Sequence, residues 1–255
     1  MWRFAILTLL LQLPLFAQIK TETVEYKDGD VTLKGFLAYK ESTSKLPAIM
    51  IVHEWWGLDD YPKMRAQQLA ELGYFAFAVD MYGDGKIAVS PDEAGKLAGE
   101  LRGNISKLRN RINAALEFIK KNKRVNTSKV AVIGYCFGGG VALELARSGA
   151  DIKGAVGFHC PMATPNPSET KNVKAKILLC QGADDKFLPE ADIKTFENEM
   201  NNAKVDWQLN FYSGAVHSFT NPKSGNNSSS GIAYNERADK RSFETMKQFL
   251  QEIFD

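Results

Sequence analysis

Lys129-Val-Ala-Val-Ile-Gly-Tyr-Cys136-Phe-Gly-Gly-Gly140, followed without a break by Val141-Ala-Leu-Glu-Leu-Ala-Arg147, is the stretch whose reading decides the fold. A β-branched apolar run ends at Gly134-Tyr-Cys136, and a helical pattern opens directly behind it. The segment therefore reads as strand, sharp turn, helix, with a nucleophile-type side chain at the apex. Its pattern is G-x-C-x-G, the cysteine form of the G-x-S-x-G nucleophile elbow. Gly at both flanks lets strand and helix approach without Cβ clashes. The helix start beneath the turn adds free N–H groups and a positive dipole end, both of which favour a thiolate at Cys136.

Working outward, Thr21–Tyr26 and Val31–Tyr39 alternate apolar and polar residues around Asp28-Gly-Asp30 and predict a hairpin. Continuous apolar runs at Ala48–Val52, Tyr74–Val79, Ile152–Phe158 and Ile177–Cys180 predict strands buried on both faces, and Val205–Tyr212 a further strand. Helical periodicity covers Tyr61–Leu72, Ser90–Arg102, Ile105–Lys121, Pro189–Ala203 and Glu236–Phe254. Pro161–Pro167 reads as a Pro-rich loop, and the Gly/Asn/Ser-rich stretch 221–231 as a mobile surface loop. Strands alternating with helices imply an α/β fold: a mainly parallel sheet with helices on both faces and an N-terminal antiparallel hairpin at its edge. Ligands in such sheets sit outside the carboxyl ends of the strands.

The residues just past those ends are Glu54, Asp80, Cys136, Asp184-Asp185 and His217. Nucleophile, acid and histidine follow one another in the chain order of an α/β-hydrolase triad. His217 is the expected general base, since imidazole titrates near neutrality. Asp184 and Asp185 compete for the carboxylate that holds its tautomer, and spacing does not choose between them. The other histidines, His53 and His159, also lie at strand ends but on the wrong side of the order rule.

These pieces together resemble the dienelactone hydrolase family, a Cys-nucleophile branch of the α/β-hydrolases. The resemblance rests on Gly134-Tyr-Cys-Phe-Gly-Gly139, Gly182-Ala-Asp-Asp-Lys-Phe-Leu-Pro189, Gly214-Ala-Val-His-Ser-Phe219, His53-Glu-Trp-Trp-Gly57 and Val79-Asp-Met-Tyr82, and runs from about Thr21 to the C-terminus. It implies a Cys136–His217–Asp185 triad, since the family's acid stands four residues before the Pro. It also implies that Glu54 contacts the resting thiol and steers its proton, and that the backbone N–H groups of Trp55 and Phe137 form the oxyanion hole. The activity implied is hydrolysis of a carboxylic ester or lactone, as in carboxymethylenebutenolidase, with no metal or other cofactor. Family members bind a substrate carboxylate with Arg residues soon after Asp-x-Tyr and after His-Ser-Phe. Here those stretches read Tyr82-Gly-Asp84 and Phe219-Thr-Asn221, without Arg. An apolar, aromatic substrate site lined by Trp56, Met81 and Tyr82, with Trp55 and Phe137, is expected instead.

Composition sets outer limits. A chain of 255 residues, 44% hydrophobic and 24% charged, suits a single α/β domain. Net charge is +2 with dispersed basic residues, which argues against nucleic acid. Met1-Trp-Arg3, the apolar run Phe4–Phe16 and Ala17 read as a signal peptide of residues 1–17, ahead of a domain of residues 18–255. Export to the periplasm or medium, no stable membrane contact after cleavage, and a monomer acting on a small molecule are the matching expectations. Of the three cysteines, Cys160 and Cys180 are expected as buried free thiols. Two rival readings are a non-catalytic small-molecule-binding homologue and thiol redox chemistry at Cys136; the lack of a C-x-x-C motif weighs against the second.

Overall fold

The computed structural model describes residues 18–255; the signal-peptide reading of residues 1–17 lies outside them. Eight strands form one sheet: β1 (Ile19–Asp28), β2 (Val31–Lys40), β3 (Leu46–Val52), β4 (Phe75–Val79), β5 (Val125–Tyr135), β6 (Gly154–Phe158), β7 (Lys176–Gly182) and β8 (Trp207–Tyr212). Their spatial order is β1-β2-β4-β3-β5-β6-β7-β8. The β1–β2 and β2–β4 pairs are antiparallel and the rest parallel. The expected sheet with its antiparallel edge is therefore present. From β3 the chain passes to β4 on one side, then returns to β5 on the other. The crevice at the carboxyl ends of β3 and β5 is thus the topological switch point, where open α/β sheets bind ligands.

Among the described residues six α-helices cover the sheet: α1 (Asp60–Glu71), α2 (Pro91–Arg102), α3 (Ile105–Lys120), α4 (Phe137–Arg147), α5 (Glu190–Asn202) and α6 (Glu236–Phe254). Strand β5 shows how two cores arise from one run. Val130 and Val132 face the core built with Leu101, Leu108, Ile112 and Val141, whereas Ala131, Ile133 and Tyr135 face that built with Leu69, Met246 and Leu250. The two-residue period of the pleat sorts alternate side chains to α2–α4 on one face and to α1 and α6 on the other. Helix starts follow the capping residues in the sequence. Ser90, Asn104 and Asn235 accept from the amides of Glu93, Lys107 and Ala238 and satisfy N–H groups the helices leave open.

At the β5–α4 junction backbone lies against backbone. A Cβ at Gly134 would fall 2.0 Å from the Gly138 carbonyl oxygen, and one at Gly138 would fall 2.4 Å from the Val52 carbonyl oxygen. Neither neighbour is a flexible side chain, so the turn cannot give way. Gly138→Ala is therefore expected to destabilise the protein by about 1–3 kcal/mol, the usual cost of overpacking. Gly95→Ala, in the middle of α2 with open space around it, is expected to stabilise by up to about 1 kcal/mol. Urea denaturation of the two variants checks the opposite signs.

Candidate active site

Cys136 occupies the apex of that turn with φ 52° and ψ −119°. An L-residue rarely adopts positive φ, and strain of this kind collects at functional sites. Its amide donates to the Phe158 carbonyl of β6 at 3.0 Å, which pins the apex to the neighbouring strand. The side chain is directed at His217: Nε2 lies 3.1 Å from Sγ. On the other side of the ring, Nδ1 lies 2.9 Å from Asp185 Oδ2. Asp185 is itself fixed by the Phe187 amide, which donates to Oδ1 at 2.8 Å. Asp184 is exposed and takes no part. The choice left open between the two carboxylates thus falls on Asp185.

Burial disfavours a charged imidazole, yet the hydrogen bonds to Asp185 and to the Cys136 sulfur outweigh it, and the His217 pKa is pushed up to about 10.

The amides of Trp55, after β3, and Phe137, at the start of α4, make no hydrogen bond among the described residues. Phe137 is the first residue of α4, where N–H groups are unpaired by construction. Both residues line the same cavity as Cys136 and His217. The Trp55 loop is held from behind. His53 Nδ1 donates to the Glu54 carbonyl at 2.5 Å and its Nε2 accepts from the Met81 amide at 3.3 Å, and the Tyr82 hydroxyl donates to the Trp55 carbonyl at 2.7 Å.

Glu54 departs from the expectation. Its carboxylate is buried but does not hydrogen-bond Cys136. Oε1 accepts from the Ser218 hydroxyl at 2.6 Å and Oε2 from the Asn221 amide at 2.5 Å. Burial pushes its pKa up, against these two neutral donors. Both donors come from the loop that carries His217, so Glu54 clamps the Trp55 loop to the histidine loop. The stretch 221–231 is correspondingly tied down at its ends. Asn221 is 3% exposed, the Gly231 carbonyl accepts from the His217 amide at 3.1 Å, and the Ala233 amide donates back to the His217 carbonyl at 3.1 Å.

Two expected substrate contacts are corrected. Met81 is fully buried in the core, and Tyr82 is buried behind Trp55; neither lines the cavity. The reason lies in Asp80. Its carboxylate accepts from the amides of Tyr82 and Gly83 on one oxygen and of Lys34 and Gly85 on the other, at 2.8–3.0 Å. These bonds curl the loop after β4 inward, so the Asp-x-Tyr motif builds the wall behind the Trp55 loop. Trp56 does line the cavity, set edge-on to Trp55 with ring centroids 5.1 Å apart.

The cavity measures about 790 Å³ and includes Ile105, Leu108, Val141, Pro161 and Phe187 besides the residues above. That is ample for a small organic substrate. Arg102, the last residue of α2, also lines it, its guanidinium carbon 5.5 Å from the centre of the Phe137 ring. A cation thus enters from an element no sequence motif marks. Phe187, by contrast, sits inside the Asp-Asp-Lys-Phe motif and could have been read there. Cys160 and Cys180 are buried and free, as expected; burial pushes both thiols up to about 12, which makes them inert beside Cys136.

The family model described as the dienelactone hydrolase family matches residues 33–254. A putative carboxymethylenebutenolidase of Aquifex aeolicus is 29% identical over 79% of this chain and 88% of its own, and protein usf of Aquifex pyrophilus is 30% identical over the same shares. Among solved structures, the dienelactone hydrolase-like promiscuous phosphotriesterase P91 from metagenomic libraries is 34% identical with a TM-score of 0.88, covering 93% of this chain and 99% of its own. The structure titled m3DLH has the same identity and coverage with a TM-score of 0.90.

The raised His217 pKa carries a stability consequence. A folded pKa above the unfolded value of about 6.5 stabilises fully below that value, and the contribution fades as pH rises through about 10. The stability gap between wild type and His217→Gln is therefore expected to be widest below pH 6.5 and to narrow up to about pH 10. Urea unfolding at both ends of that window measures it.

Proposed function

The chain belongs to the dienelactone hydrolase family and so is a hydrolase of the ester-bond class; on that premise we propose that it cleaves a carboxylic ester or lactone through an acyl-enzyme on Cys136. The observation that carries this reading is the unbroken line Cys136 Sγ–His217–Asp185, with links of 3.1 and 2.9 Å, opening on the cavity. The Cys136 thiolate attacks the acyl carbon, and the carbonyl oxygen gains charge opposite the Trp55 and Phe137 amides. As the tetrahedral adduct collapses, the His217 imidazolium gives its proton to the departing alkoxide. Water then enters; His217 takes its proton, the hydroxide adds to the thioester carbon, and the acid leaves as the thiolate returns. Asp185 holds the imidazole in the tautomer and orientation both steps need. None of these steps calls for a metal or organic cofactor.

Glu54 serves this chemistry as a brace between the two loops. The walls favour a substrate with apolar or aromatic bulk against Trp55, Trp56 and Phe137, and Arg102 offers a partner to any acidic group at the far end. With residues 1–17 as an export signal, the enzyme would work outside the cytoplasm as a monomer.

A panel of chromogenic esters and lactones tests the proposal. Wild type is expected to release a burst of product stoichiometric with enzyme, Cys136→Ala none, and His217→Ala to lose at least about 10³-fold in kcat with its fold intact by circular dichroism. Substrate binding without turnover in wild type would favour the non-catalytic alternative, and turnover surviving in Cys136→Ala would sink the acyl-enzyme.

A further inference from the structure

His159 is the buried titratable group the chemistry above leaves unused. It follows β6, is fully buried, and has a backbone φ of 37°, a rare and strained value for a side-chain-bearing residue. Its ring stands edge-on to His217, with centroids 5.2 Å apart and planes at 70°. Phe187 makes a second T-shaped contact with His217, at 5.3 Å and 69°. The His217 imidazole is therefore flanked by two aromatic neighbours as well as tethered at both nitrogens.

The hydrogen bonds behind His159 run in one direction. Arg65 has donors only. Its Nε donates to the Tyr61 hydroxyl at 3.3 Å, which donates to Thr220 Oγ1 at 2.6 Å. Thr220 Oγ1 lies 2.8 Å from His159 Nε2 and has its own proton left to give. His159 Nε2 is thus the acceptor, and the neutral ring carries its proton on Nδ1. That Nδ1 is buried without a partner, an arrangement costly to leave unmade. Arg65 is anchored in turn by Asp239 and by the Thr220 carbonyl at 2.8 Å. Burial, seconded by the neighbouring His217, pushes the His159 pKa well down, so this ring sets no second positive charge against the imidazolium.

We propose that His159 is a positioning residue for the general base: held in one orientation and tautomer by the Arg65–Tyr61–Thr220 chain, it buttresses His217 so that Nε2 stays on the Cys136 sulfur through both proton transfers. Strain and an orphaned donor at one residue, directly against the base, are what such a buttress would require. The inference rests on the triad reading of the preceding subsection.

Alkylation of Cys136 by iodoacetamide across pH, followed by peptide mass, reads the alignment without any substrate; kcat and KM on an ester read it in turnover. In His159→Ala alkylation of Cys136 is expected to slow across the profile, because the imidazole no longer stays on the sulfur, and kcat to fall about 10–10²-fold with KM little changed. Thr220→Val should shift both in the same direction by less, and Thr220→Ser, which restores the hydroxyl, should return them to wild-type values. This Thr220 pair decides the matter even where His159→Ala fails to fold. Unchanged alkylation profiles and kcat in Thr220→Val and in folded His159→Ala, with only a lower melting temperature, would overturn the proposal. A moved alkylation profile in a protein that hydrolyses no ester would uphold the buttress and remove the esterase reading instead.

Discussion

The site depends on one tight backbone approach. Strand β5 must turn into α4 within a residue, and it does so because the Gly134 and Gly138 backbones lie against each other and Gly138 lies against the end of β3. A side chain at either position would press on backbone and force the turn open. As it stands, the cysteine is lifted at φ 52° above the crevice between β3 and β5. The free N–H of Phe137 and that of Trp55 then come from the two strands that meet at this crevice. Position of the sulfur and availability of the amides are consequences of the same contact.

Electrostatics build on that placement. The sulfur and Asp185 grip His217 from opposite nitrogens, and together they favour the charged ring more strongly than burial opposes it. Around this pair the molecule keeps other groups neutral or engaged. His159 is held uncharged by burial, the two remaining thiols are pushed up to about 12, and Glu54 spends both oxygens on Ser218 and Asn221. One nucleophile is thus set apart from two chemically identical side chains by its surroundings alone.

The sheet, its antiparallel edge and the order of the triad were legible because they rest on local signals: apolar runs, glycines at fixed offsets, and chemistry-bearing residues just past strand ends. Structure adds what long-range contacts decide. Glu54 meets Ser218 and Asn221 across more than 160 residues, so no spacing could foretell that its hydrogen bonds would go to that loop rather than to the thiol. Met81 and Tyr82 were misplaced for a related reason: the Asp80 carboxylate curls their loop inward through amides of two separate segments. Arg102 reaches the cavity only because α2 ends there. His159 was discounted by the order rule, which ranks catalytic bases and says nothing about the residues that hold them.

Before any substrate arrives, the fold holds the Cys136 sulfur, the His217 ring and Asp185 in one hydrogen-bonded line, and that line keeps the imidazole protonated well above its ordinary range. An NMR titration of the His217 ring, in wild type and in Asp185→Asn, measures this directly. The ring is expected to keep its proton past about pH 8 in wild type and to lose it at lower pH in Asp185→Asn. A ring that titrates near the ordinary imidazole value of about 6.5, unaffected by Asp185→Asn, would contradict it.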